Sequence, residues 1–224
     1  MLHIIQWKVA FECAHLKRAC SPKTDDKVYY FAFGANLSPT VLEKRRIQIF
    51  DSFDYVLEGA ELNFSQMGFY RDHGYASADP AIDGVVYGKM YLMLKSDANR
   101  MDYFEGVPYL KVHEKITRKF EKGEFFYYRS ADPKNGLKPT QEYLDYITNA
   151  YGGMSIVPKS YLESLIQTPV LTQFLLQNHT GKHVKNIDRW PRSLHPFLVY
   201  YEGCCLRLVE IFWNRSLVQW LVRR

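Results

Sequence analysis

A chain of 224 residues holds one domain of ordinary size with extensions, or two very small domains. Its 47% hydrophobic and 16% aromatic content supplies a core and excludes disorder over most of the length. The formal charge of +5 is scattered, and no RNP, zinc-finger or homeodomain pattern accompanies it. The reading is therefore no nucleic-acid partner, and a mild field that helps a small anionic substrate arrive.

Residues 1–27 read as an extension that ends in the polar, turn-forming stretch Ser21 to Asp26. Val28 to Phe33 is an aromatic, β-rich run, read as a buried strand and broken by Gly34. Ser38-Pro39 starts a short helix through Ile47, with Ser as cap and Pro at the first position. Its basic cluster Lys44-Arg45-Arg46 reads as a solvated helix face. Phe50 to Phe64 is strand-like, and residues 65–83 are expected to form a Gly- and Asp-containing loop. In that loop His73 is placed either at a pocket mouth or in solvent. Val85 to Leu94 is a strong strand, and Ser96 to Phe104 a helix with Ser96 as cap. Val112 to Phe120 and Gly123 to Arg129 form a hairpin. Thr140 to Tyr151 and Lys159 to Ile166 are helical, separated by Gly152-Gly153 and Pro158.

The expected division is residues 1–27 as N-terminal extension, 28–168 as the main domain and 169–224 as an apolar, Trp-containing C-terminal extension. The short connections favour antiparallel pairing. The fold class expected is α+β, with a small, mixed, curled or barrel-like sheet and flanking helices. The tail is read as packing on the domain, with a homodimer contact or a membrane surface as alternatives.

Cys13, Cys20, Cys204 and Cys205 form neither a disulfide framework nor a C-x-x-C site. Reduced thiols and a cytoplasmic location are expected. No stretch is apolar for long enough to span a bilayer, and charges at Lys8, Glu12, Lys17 and Arg18 spoil a signal-peptide shape. The sequons at Asn36, Asn63, Asn178 and Asn214 favour a compartment without glycosylation, because the first lies in the candidate site. His179 and His183 have a ligand-like spacing, but Gly181 lies between them and no third ligand is near, so no metal site is expected.

Two segments carry chemistry. The junction Phe33-Gly34-Ala35-Asn36 leaves backbone N–H groups unpaired at a helix start, which suits a carboxylate or a developing oxyanion. Glu105 stands before Gly106, where a helix should end. The helix dipole and its apolar neighbours Phe104 and Val107 would both raise its pKa toward the range of proton transfer.

Together, Phe31 to Leu37 (FAFGANL) and Asp102 to Val107 (DYFEGV) resemble the loop YFAYGSNL and the segment LDxxEGV of the γ-glutamylcyclotransferase family. The intervening VVYGKMYLM strand fits that family's order of elements, and Pro139 to Tyr143 is similar to its segment ending in a substrate-contacting tyrosine. The resemblance covers roughly residues 28–167. It implies cyclisation of a γ-glutamyl group to 5-oxoproline with release of the attached amino acid, without metal or other cofactor. The implied roles are acid and base for Glu105 and contact with the small γ-glutamyl substrate for Tyr143. Tyr30, Phe31, Ala32, Phe33, Gly34, Ala35 and Asn36 would hold the γ-glutamyl head.

Phe33 and Ala35 stand where the family has Tyr and Ser, so two hydroxyls are absent. The stretch after Val107 is shorter than the family's and lacks its second glycine. Two alternatives remain open: a cyclotransferase acting on γ-glutamyl amines, and a binding module of the same fold without turnover.

Overall fold

The computed structural model describes residues 8–9, 12–16, 20, 26–68, 71–107 and 111–172. The expectations for the His179/His183 pair, Cys204-Cys205 and the Trp-containing tail fall outside these residues.

Strand β1 (Lys27–Ala32) is the aromatic run expected from the sequence. It alternates cleanly, as a strand buried on both faces must. Tyr30 and Ala32 join one core cluster, while Phe31 and Phe33 join another. After a single 3-10 turn at Ala35–Leu37 comes helix α1 (Pro39–Lys44), with Ser38 in the cap position but no side-chain capping bond. Next are β2 (Ile49–Met67) and β3 (Gly74–Leu94), then α2 (Lys95–Phe104). The hairpin β4 (His113–Phe120) and β5 (Gly123–Ser130) follows, then α3 (Gln141–Gly152) and α4 (Lys159–Ile166).

The five strands form one sheet in the order β2-β3-β1-β5-β4. β1 runs antiparallel to β3 and parallel to β5, with Tyr29 opposite Phe125 and Tyr30 opposite Phe126. The sheet is mixed, as expected, but open rather than barrel-like. It curls far enough for side chains of its two edge strands to meet. Phe120 of β4 lies 6.0 Å from Tyr55 of β2, and Arg118 Nη1 donates to Glu58 O at 2.6 Å. No backbone ladder joins β2 to β4 among the described residues.

Residues 65–83 are not a loop. Most belong to the long β2–β3 hairpin, with Asn63 opposite Ser77 and Gln66 opposite Tyr75. Small and polar residues hide this ladder from a propensity argument, because strand formation here depends on the partner. Register breaks hide it further. Glu58 faces Val85 and Ala60 faces Pro80, so residues 81–84 bulge out opposite Gly59. Ile82 at that bulge is 97% exposed.

One face of the sheet packs on α1 and α2 through Leu42, Ala98, Met101 and Phe104. Part of the N-terminal extension joins it: residues 12–16 are helical, Ala14 is fully buried, and the His15 ring sits 5.4 Å from Phe104. The opposite face holds Phe31, Met90, Phe125 and Tyr127. Truncating a side chain as buried as Phe31 costs about 3–5 kcal/mol. A third cluster lies under α3 and α4, around Leu37, Ile147 and Tyr151. Tyr151 Oη lies 2.9 Å from Phe33 O and 2.7 Å from Tyr87 O, which ties α3 to the end of β1. The N-cap Thr140 accepts from Tyr143 N–H and fixes the first turn of that helix.

Candidate active site

β1 ends at the centre of the sheet, and its turn opens into a cavity of about 280 Å³. Tyr30, Phe33, Gly34, Ala35, Asn36, Glu105 and Tyr143 all line it. Phe31 and Ala32 do not: both side chains are fully buried in the sheet's two faces. Alternation along β1 explains why Phe31 points away from Tyr30.

Glu105 caps α2 from its C-terminal end, as expected, and Gly106 follows at φ 66°. That left-handed conformation suits glycine and turns the chain sharply behind the carboxylate. The carboxylate is held from three sides. Arg45 Nη1 donates to Oε1 at 2.6 Å, and Asn36 Nδ2 donates to the same oxygen at 3.1 Å. His113 Nδ1 lies 4.0 Å from Oε2 and 2.8 Å from the Glu105 carbonyl, which fixes its proton on Nδ1 because a carbonyl only accepts.

These partners overturn the expected upward pKa shift. Burial does push the carboxyl up, but Arg45, His113 and Asn36 together outweigh it and hold Glu105 below the ordinary carboxylate value. The group is therefore ionised at neutral pH and able to accept a proton.

Arg45 is the residue the sequence reading missed. It is not part of a solvated face; its guanidinium lies 5.1 Å from the Phe104 ring and points into the cavity. The turn that aims it is fixed from α2. Arg100, fully buried, donates to Arg45 O at 2.8 Å and to Arg46 O at 2.6 Å, and it pairs with Asp97 at 3.3 Å. Asp97 in turn accepts from Gln48 N–H at 2.9 Å. His113 was missed as well, and nothing in its spacing eight residues after Glu105 signals a role.

On the opposite wall, Tyr143 Oη accepts from Ala76 N–H at 3.3 Å and from the backbone of Ala35. An ideal Cβ on Gly34 would sit 3.3 Å from this hydroxyl, so glycine lets the loop and the phenol approach closely. Burial raises the Tyr143 pKa and keeps the phenol protonated. Tyr30 is raised for the same reason, and its hydroxyl accepts from Asn36 Nδ2 at 2.7 Å. His73 is at neither of its expected places. It is buried against Tyr75, ring to ring at 4.6 Å, and burial lowers its pKa to about 4.

The chain is similar to a solved structure described as a gamma-glutamyl cyclotransferase, with TM-score 0.53 and 20% identity over 71% of this chain and 98% of that one. It is similar to the uncharacterized protein loc79017 from Homo sapiens, with TM-score 0.54 and 19% identity over 71% and 98%. YkqA from Bacillus subtilis matches with TM-score 0.55 and 16% identity over 66% of this chain and 57% of that one. No family model and no curated sequence matches. The chain has the γ-glutamylcyclotransferase-like fold, α+β with an open, mixed sheet and flanking helices. Among the described residues, no helix is long and apolar enough to cross a membrane.

Proposed function

We propose that this chain is a γ-glutamylcyclotransferase. One observation carries the reading: a carboxylate, a protonated phenol and a glycine-bearing turn face one another across a single small cavity. In the reaction, the substrate's α-amine attacks its own γ-carbonyl. A five-membered lactam forms, and the bond to the attached amine breaks. Glu105 takes a proton from the α-ammonium and returns it to the leaving nitrogen. Tyr143 and the turn at Gly34 face the oxygen on which charge develops. The cavity holds the two ends of one molecule in reach of each other, which intramolecular attack rewards strongly. Ala35 supplies no hydroxyl here, but the Tyr143 hydroxyl lies against its backbone.

A second reading, a γ-glutamyl-binding module without turnover, draws on the Arg45 pairing, which weakens Glu105 as a base. One assay separates the two. Purified protein is incubated with γ-glutamyl-alanine, ε-(γ-glutamyl)-lysine and glutathione, and 5-oxoproline is measured. Product that vanishes in Glu105→Gln supports the cyclotransferase. Preference for the lysine isopeptide would assign an amine leaving group. No product from any of the three would leave only the binding module.

A further inference from the structure

Glu105 engages only one corner of the Arg45 guanidinium. Nη1 reaches Glu105 Oε1 at 2.6 Å and Met101 Sδ at 3.8 Å. The Nε and Nη2 donors have no partner among the described residues. That edge is the planar fork that matches a carboxylate with two parallel hydrogen bonds. Its place is fixed by the Phe104 ring and by Arg100 on the turn behind it. It lines the same cavity as Glu105.

Asn36 fixes the other side of Glu105 Oε1. It is buried, with 9% of its surface exposed, and its Oδ1 is enclosed without a hydrogen-bond partner. The amide's orientation follows from Glu105, which can only accept, so the nitrogen must face it. Asn36 Nδ2 and Arg45 Nη1 both bond the single atom Glu105 Oε1. A carboxylate that can accept from an ammonium and a guanidinium fork therefore sit side by side, as the head of one α-amino acid requires.

We infer that Arg45 receives the α-carboxylate of the γ-glutamyl head on its Nε–Nη2 edge while Nη1 stays on Glu105. This rests on the γ-glutamyl reading given above. Arg45 then sets specificity: an acyl chain with the amine but no α-carboxylate leaves the fork empty. Sharing the guanidinium with a second anion also weakens its hold on Glu105, so the base gains strength as the substrate seats itself.

The test compares two pairs of probes that differ only by the α-carboxylate. 5-Oxoproline and 2-pyrrolidinone are titrated into the wild-type protein, Arg45→Met and Arg45→Lys by calorimetry. Wild type should prefer 5-oxoproline by about 10²-fold. Arg45→Met should bind both alike, and Arg45→Lys should fall between, since lysine is a point charge rather than a fork. γ-Glutamyl-alanine and 4-aminobutanoyl-alanine, both of which close five-membered lactams, give the matching comparison of kcat/KM. Equal or absent binding of the two lactams by wild type, or a preference that survives Arg45→Met, overturns the inference. If Arg45→Met does not fold, Arg45→Lys carries the comparison. Carboxylate-dependent binding without any turnover would remove the cyclotransferase reading and leave this one standing. Turnover that ignores the α-carboxylate would do the reverse.

Discussion

Arg45 and Glu105 are 60 residues apart in the chain and 2.6 Å apart in the fold. The ion pair is enclosed on both sides, so solvent screens it less than a surface pair. Removing either partner leaves the other charge buried.

The pH dependence of stability follows from that pairing. The folded pKa of Glu105 lies below the ordinary value of 4.5. Its contribution to stability is therefore present above the unfolded pKa and lost as pH falls through the folded one. In Arg45→Met the largest single influence, burial, loses its main opponent, and the folded pKa should rise. The destabilisation of that variant should then shrink as pH is lowered from 7 toward 4. Thermal melts across that range check this. The acid limb of kcat/KM against pH should move upward in the same variant.

Tyr143→Phe removes one oxygen from between two backbone donors, Ala76 N–H and the Ala35 backbone. An unsatisfied buried donor costs about 1–3 kcal/mol, readable as a lower urea midpoint. If the phenol also faces the developing oxyanion, kcat should fall about 10²- to 10³-fold with KM little changed. A loss confined to stability would give the phenol a purely structural role. Ala35→Ser in the Tyr143→Phe background should recover part of kcat by restoring a hydroxyl to the turn.

Asn36→Asp places a second carboxylate where an amide nitrogen now lies 3.1 Å from Glu105 Oε1. Two carboxylates at that distance do not both ionise freely, so the pair should titrate in separated steps with one pKa raised. The expected readout is an upward shift of the acid limb together with lower activity at pH 7. A profile identical to wild type would mean that Asn36 does not contact Glu105 in solution.

Arg100→Met strikes the support of Arg45 rather than the cavity. Arg100 is fully buried and pairs with Asp97. Breaking such a pair costs about 3–5 kcal/mol. Denaturant unfolding should show that loss, and any surviving folded protein should have weaker carboxylate discrimination. The double variant Asp97→Asn/Arg100→Met should lose less than the two single changes summed.

The parts legible in the sequence were those set by local pattern. The aromatic run Tyr30 to Phe33, the glycine break and the strands on either side of Gly123 give their elements directly. Lys159–Ile166 carries the same bounds in the structure as in the sequence reading. Residues 74–83 were misread as loop because Ala76, Ser77 and Pro80 gain strand structure only from β2. Phe31 and Ala32 were included in the site because a motif is contiguous, whereas a strand sends alternate side chains to opposite faces. Arg45 was missed because its importance depends on Glu105 and Arg100, both distant in the chain. The sign of the Glu105 shift failed for the same reason: the helix end was visible, the guanidinium was not.

The parallel pairing of Tyr29 and Tyr30 with Phe125 and Phe126 has a consequence for biosynthesis. The turn that opens the cavity is made early, but one neighbour of its strand emerges nearly a hundred residues later, and the phenol on the far wall later still. Contacts of such long sequence separation form slowly and late. A nascent chain that stopped before residue 143 would contain the carboxylate and its arginine yet lack the wall opposite them. The cavity is thus completed only once residue 143 has emerged, long after the turn that opens it.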